Sequence, residues 1–213
     1  MLPQVVLYDM DGTIIDTDHL HLQAWQYTGR RYGFEVSSGQ LSKLKGLSGK
    51  KTLEALLEVD DHSIISEASQ IKFEYLMAHL AEVEILGNFV EAYQRLQEKS
   101  IPIGVCTSAR QEFVNGVLQK VPALSFLEGK VVWKEMFAEG KPSAEPLWTT
   151  FDHLKIPRTA PAIYVGDGFS DYGSAQKAGM PFYYFCPDQE KKDARFPKNV
   201  PVISDHRELI PLL

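Results

Sequence analysis

Asp9 and Asp11 are carboxylates one residue apart, directly after the apolar run Val5-Val6-Leu7-Tyr8. Side chains alternate in an extended chain, so both carboxylates are expected to face one cavity. Two such groups side by side repel, and the usual remedies are a bound cation or a shared proton. Gly12 follows where the chain must turn, and the Thr13 hydroxyl is placed to fix that turn. A second acidic pair, Asp167 and Asp171, lies in Gly166-Asp167-Gly168-Phe169-Ser170-Asp171. Between the pairs stand Thr107-Ser108 and Lys141, the lysine held between Gly140 and Pro142. Such a set suits phosphate chemistry. Mg2+ takes oxygen ligands, and one carboxylate can accept a phosphoryl group. Lysine neutralises charge on the transferring oxygens, and a second carboxyl can protonate a leaving group and later activate water. Each stretch alone has a plainer explanation: a solvated turn, a helix cap at Thr107, Ser170 or Asp171, or an exposed lysine.

These residues need a frame that brings them together. The runs at 5–8, 101–106 and 162–165 are short, apolar and rich in β-branched residues, as buried parallel strands are. Residues 182–185 form a further strand, 130–133 a weak one, and 200–203 a short apolar segment. Helices are expected at 89–99, 111–120, 145–154 and 171–178, alternating with the strands. That alternation predicts an α/β fold, a parallel sheet covered by helices. In such sheets the ligand crevice lies outside the carboxyl ends of the strands, where Asp9, Thr107 and Asp167 all fall. Residues 17–83 break the pattern. Helical spacing at 19–32, 50–58 and 63–83, with no credible strand, predicts a separate helical unit. The expected division is 1–16 with 84–213 as the core and 17–83 as the insertion.

The chain has 213 residues, 44% hydrophobic and 23% charged, enough for a sizeable core. A formal charge of -6 gives no support to a nucleic-acid or anionic-membrane partner. No apolar run approaches the roughly 20 residues that span a bilayer, and no signal peptide is visible. Two cysteines, Cys106 and Cys186, and no Asn-x-Ser/Thr acceptor suggest a reducing cytoplasm. A monomer is expected.

The stretches Asp9-Met10-Asp11-Gly12-Thr13, Thr107-Ser108, Lys141-Pro142 and Gly166-Asp167-Gly168-Phe169-Ser170-Asp171 resemble, in order, the four motifs of the haloacid-dehalogenase-like hydrolase superfamily. The resemblance implies a Rossmann-like core with an α-helical cap inserted after the first motif. It implies Asp9 as nucleophile, Asp11 as acid/base, and Thr107, Ser108 and Lys141 as phosphate-binding residues. Asp9, Asp11 and Asp167 would surround Mg2+, with Asp171 binding or supporting it. Members acting on carbon–halogen or phosphonate bonds usually lack the second aspartate, so Asp11 favours phosphate esters.

Within the insertion, Asp16-Thr17, His21, Ala24-Trp25 and Leu44-Lys45-Gly46-Leu47-Ser48 resemble the β-phosphoglucomutase-like and phosphoglycolate phosphatase-like branch. This makes His21, Lys45 and Gly46 candidates for contact with the substrate. The mutase usually has an arginine after the loop serine; here Gly49 and then Lys50 follow. Lysine cannot reproduce a bidentate guanidinium grip. Ser143-Ala144-Glu145-Pro146 also lacks the usual early proline. These departures favour a phosphatase of a small phosphorylated metabolite, with a sugar phosphate as a candidate class, over a mutase. A phospho-accepting receiver module or an inactive binding protein are the remaining alternatives; the inserted helices and the second aspartate speak against the former.

Overall fold

The structure, a computed structural model, describes residues 4–37, 39–40, 49–57 and 61–213. Its core is a six-stranded, all-parallel sheet. The strands are β1 (Val5–Tyr8), β4 (Ile103–Cys106), β5 (Val131–Val132), β6 (Ala162–Gly166), β7 (Phe182–Phe185) and β8 (Val202–Ile203). They lie side by side in the order β5-β4-β1-β6-β7-β8. The chain therefore builds outward from β1 in one direction through β4 and β5. It then returns to lay β6, β7 and β8 on the other side. This reversal of strand order creates a crevice at the carboxyl end of β1. Register is set by Leu7 opposite Gly104 on one side and Tyr164 on the other.

Alternation along β1 sends Val5 and Leu7 to one face and Val6 and Tyr8 to the other. On the first face Val5 and Leu7 join Cys106, Val132, Tyr164 and Tyr184 in one core cluster. Helices α6 (Glu145–His153) and α7 (Phe169–Ala178) cover it with Leu147, Phe151 and Ala175. On the second face Tyr8 meets Phe89 of α4 (Phe89–Glu98) edge-on, with ring centroids 5.1 Å apart. His206, in the 3-10 segment His206–Leu212, stacks on Phe185 at 4.4 Å and completes that layer. Helix α5 (Gln111–Lys120) follows β4. Both sheet faces are thus buried, and the strands read as continuous apolar runs for that reason.

The chain divides into two compact units, Met1–Asp16 with Glu84–Leu213, and Thr17–Val83. Two short strands, β2 (Ile15–Asp16) and β3 (Glu84–Ile85), pair antiparallel where the chain leaves and re-enters the first unit. The second unit contains α1 (Asp18–Tyr32), α2 (Gly49–Leu57) and α3 (His62–Ala78). Trp25, Val36, Leu53, Ile65 and Ala68 form its own core. Gly33 ends α1 in the left-handed conformation, at φ 78°. Asp61 caps α3 by accepting from the Ser63 amide at 2.8 Å.

Two expectations are corrected in detail, and one pairing is added. The helix expected at 63–83 stops at Ala78, and a 3-10 turn over Leu80–Glu82 follows. The β2–β3 pair escaped notice because two-residue strands carry no period. Helix α7 begins at Phe169, two residues early, so Asp171 lies inside its first turn. Among the described residues, no helix is long and apolar enough to cross a membrane.

Candidate active site

The site is assembled at the carboxyl ends of β1, β4 and β6, all within the first unit. The Asp9 amide donates to the Val165 carbonyl at 2.8 Å, so the β1–β6 ladder runs one residue past β1 and fixes Asp9 at its end. Beyond Met10 the chain coils: the Ile14 amide donates to the Met10 carbonyl and the Gly12 amide to the Ile15 carbonyl, each at 2.8 Å. Alternation ends there, so the orientation of Asp11 is set by the coil. Asp9 is buried, whereas Asp11 is half-buried and accepts a long bond, 3.5 Å, from the Thr107 hydroxyl. The Thr13 hydroxyl does not fix the turn as expected: it is buried with no hydrogen-bond partner. The Thr13 carbonyl is what anchors the coil, accepting from Nε2 of His206 at 2.9 Å.

Gly12 sits at φ 81°, and a Cβ there would collide with the Asp167 carboxylate. The coil after β1 and the turn after β6 are therefore in close contact, which is what lets Asp167 approach Asp9. Gly166 plays the same part for Asp171, whose Cβ would lie 2.6 Å from an added methyl group. One oxygen each from Asp9, Asp167 and Asp171 lies within 4.8 Å of the others. That group does not include Asp11.

Lys141 closes the arrangement. Its loop is stiffened by Glu145, whose carboxylate accepts from the Ala138 and Glu139 amides at 2.8 Å each. The side chain is 4% exposed; its ammonium contacts Asp9 Oδ1 and lies 2.7 Å from Asp171 Oδ1. Asp171 is held from two further sides, by the Tyr164 hydroxyl at 2.7 Å on Oδ1 and by the Gly168 amide at 2.9 Å on Oδ2. The Cys106 thiol in turn donates to the Tyr164 oxygen at 3.4 Å. On the β4 side, the Thr107 amide is tied to the Val132 carbonyl at 2.9 Å. Its hydroxyl accepts from the Ala109 amide at 3.0 Å, while Ser108 is exposed.

Charge in this site is poorly solvated and unbalanced. Burial holds the Asp9 carboxyl well above the usual carboxylate range; Lys141 opposes this, and Asp171 and Asp167 add to it. Burial alone would lower the Lys141 ammonium, but Asp171 and Asp9 more than compensate and hold it well above its ordinary value. Burial likewise pushes the Cys106 thiol up to about 11 and the Tyr164 hydroxyl well up, so both remain protonated donors. Three convergent carboxylates against one ammonium leave excess negative charge, carried on hard oxygen donors. That donor set fits a divalent cation such as Mg2+.

In the second unit, His21 Nδ1 lies 2.6 Å from the Lys72 ammonium. An ammonium has no acceptor, so in this pair His21 Nδ1 is the accepting atom. The same ammonium lies 5.2 Å from the centre of the Trp25 ring. Lys45 and Gly46 lie outside the described residues. Sequence reasoning missed Lys72, since a lysine on a helix gives no sign of its partner 51 residues away. It also missed Tyr164 and Cys106. Their available signal was a polar-tipped residue inside otherwise apolar strands, two residues before Gly166 and one before Thr107.

A doubly wound parallel sheet with carboxylates and a lysine at its carboxyl edge defines an α/β enzyme with a phosphate-compatible site. Residues 6–185 match the model of the haloacid dehalogenase-like hydrolase family, and the chain belongs to that family. It is 24% identical over 184 residues to validoxylamine A 7'-phosphate phosphatase of Streptomyces hygroscopicus subsp. limoneus, covering 86% of this chain and 84% of that protein. It is 21% identical over 187 residues to the β-phosphoglucomutase of Bacillus subtilis (strain 168), covering 83% and 80%. The structure of CbbY from Rhodobacter sphaeroides in complex with phosphate superposes with a TM-score of 0.80 at 20% identity, covering 98% of this chain and 96% of that one. The chain is therefore an enzyme, and family membership with phosphatase relatives supports phosphoric monoester hydrolysis.

Proposed function

We propose that this protein is a Mg2+-dependent phosphatase of a small phosphorylated metabolite, working through an aspartyl-phosphate on Asp9. The observation that carries the reading is Lys141, buried and in contact with both Asp9 and Asp171, with Asp167 converging on the same point.

Asp9 attacks phosphorus, forming the Oδ–P bond as the ester oxygen leaves. Asp11 gives that oxygen its proton and then takes one from the water that cleaves the aspartyl-phosphate. Lys141 and Thr107 bind the phosphoryl oxygens and hold them in line with Asp9. Asp9 and Asp167 would hold the cation, which when bound offsets negative charge on the phosphoryl group. Asp171 already accepts from Lys141, Tyr164 and Gly168, so it orients Lys141 and supports the site from behind. The same reading takes Thr17–Val83 as a cap, with His21, Lys45 and Gly46 as its candidates for substrate contact. A mutase is the second reading, motivated by the similarity to the Bacillus subtilis enzyme.

The test is a turnover screen of the purified protein on phosphate esters with Mg2+, including β-glucose 1-phosphate with detection of glucose 6-phosphate. Released phosphate that vanishes with chelator and returns with Mg2+ supports the phosphatase. Glucose 6-phosphate without phosphate release moves the assignment to the mutase. Undiminished turnover in chelator removes the metal from the mechanism.

A further inference from the structure

Tyr164 is fully buried in the middle of the sheet, opposite Leu7 of β1. A hydroxyl there costs free energy unless it is bonded, and a phenylalanine would fill the same space. Its bonds have a direction. The Cys106 thiol donates to the Tyr164 oxygen at 3.4 Å, which leaves the hydroxyl proton to point at Asp171 Oδ1, 2.7 Å away. That oxygen is the one the Lys141 ammonium approaches, also at 2.7 Å. The ammonium additionally lies 5.5 Å from the centre of the Tyr164 ring. Tyr164 thus touches both partners of the ion pair next to Asp9, one through its hydroxyl and one through its ring face.

We propose that Tyr164 is a positioning residue: its hydroxyl pins Asp171 so that Asp171 shares Lys141 with Asp9 instead of drawing the ammonium to itself. The inference rests on the phosphatase reading given above. The physical reason is competition for one oxygen. With the hydroxyl present, Asp171 Oδ1 divides its negative charge between a neutral and a charged donor, and the Gly168 amide occupies Oδ2. Without the hydroxyl, Oδ1 turns wholly to Lys141 and the carboxylate is free to rotate. Lys141 then moves off Asp9 and off the oxygens it must meet in the transition state. Such a loss falls on kcat, because substrate binding in the ground state uses other groups as well.

The experiment compares wild type, Tyr164→Phe, Asp171→Asn and the double variant on p-nitrophenyl phosphate with Mg2+. Tyr164→Phe is expected to lower kcat about tenfold with KM within about twofold. In the Asp171→Asn background the same change is expected to cost nothing further, because both residues act through one ammonium. Placing 4-aminophenylalanine at 164 restores a donor of similar reach and should recover most of kcat; it also serves if the phenylalanine variant folds poorly. Unchanged kcat in Tyr164→Phe, or losses that multiply in the double variant, would overturn the proposal. Calorimetric Mg2+ titration of the resting protein supplies a separate readout. Tyr164→Phe should bind within about threefold of wild type, and a weakening that matches the kcat loss would assign Tyr164 to the cation site and overturn the proposal. If the wild type turns over no ester, the phosphatase reading fails by itself. Beryllium fluoride affinity, followed by fluorine NMR without turnover, then still decides Tyr164: about tenfold weaker binding in Tyr164→Phe supports it, and equal binding defeats it.

Discussion

Asp167 shows how a single residue is made to act. It follows a five-residue strand that is buried throughout, and it is brought against the β1 coil because position 12 has no side chain. Its carboxylate joins those of Asp9 and Asp171, while the nearby ammonium is committed to the latter two. An Asp167→Ala protein therefore loses one of the three convergent carboxylates. The expected result is a rise of at least about tenfold in the Mg2+ concentration for half-maximal activity, with kcat partly recovered at saturating metal. An unchanged metal requirement would take Asp167 out of the cation site. Asp11, partly exposed like Asp167, accepts a long bond from the Thr107 hydroxyl and keeps the access to water that its proposed acid/base role needs.

At the level of elements, the strands were legible and the coil between β1 and β2 was not. Runs such as Ile103–Cys106 and Ala162–Gly166 are apolar because both sheet faces are covered, and a continuous apolar run announces itself. Asp9 and Asp167 could be singled out because each directly follows such a run, Lys141 because it stands between Gly140 and Pro142, and Asp171 because it closes the glycine-lined segment after Gly166. The coil depends instead on a contact 193 residues distant, between the Thr13 carbonyl and His206. Tertiary bonds of that separation leave no local pattern. Asp11, bonded to Thr107, and the β2–β3 pair likewise depend on partners distant in the sequence. His206 also has a measurable consequence. Burial lowers its pKa to about 4, so the folded protein keeps the ring neutral while the unfolded chain protonates near 6.5. Stability from this group is complete above pH 6.5 and is lost as pH falls toward 4, by roughly 3 kcal/mol in all. Denaturant unfolding of wild type and His206→Gln across this window should show a shallower pH slope in the variant. Identical slopes would mean that the ring titrates alike in the folded and unfolded protein, and that burial does not lower its pKa.

The whole molecule is a sheet that fixes the chemistry and a second unit that is proposed to select the substrate. The fold class was legible from alternating helix and strand, and the family match over residues 6–185 agrees with it. The His21–Lys72 pair was not legible, because it joins two helices whose registers the sequence does not relate. If the second unit caps the site, His21 and Lys45 recognise the part of the substrate beyond the phosphate. His21→Ala and Lys45→Ala should then reduce kcat/KM on the metabolite found by the screen at least about tenfold, while p-nitrophenyl phosphate hydrolysis stays within about twofold. Equal losses on both substrates would place these residues in the common chemistry or the fold. No loss on either would leave them without a functional role.

The central claim is that Asp9 is the nucleophile, and its most direct test is the turnover of p-nitrophenyl phosphate with Mg2+ by wild type and Asp9→Asn. The amide keeps the size of the carboxylate and a carbonyl oxygen for Lys141 but is a far poorer nucleophile toward phosphorus. The account predicts an intact fold by circular dichroism and a fall in kcat of at least about a thousandfold. An Asp9→Asn protein that turns over within about tenfold of wild type would contradict it.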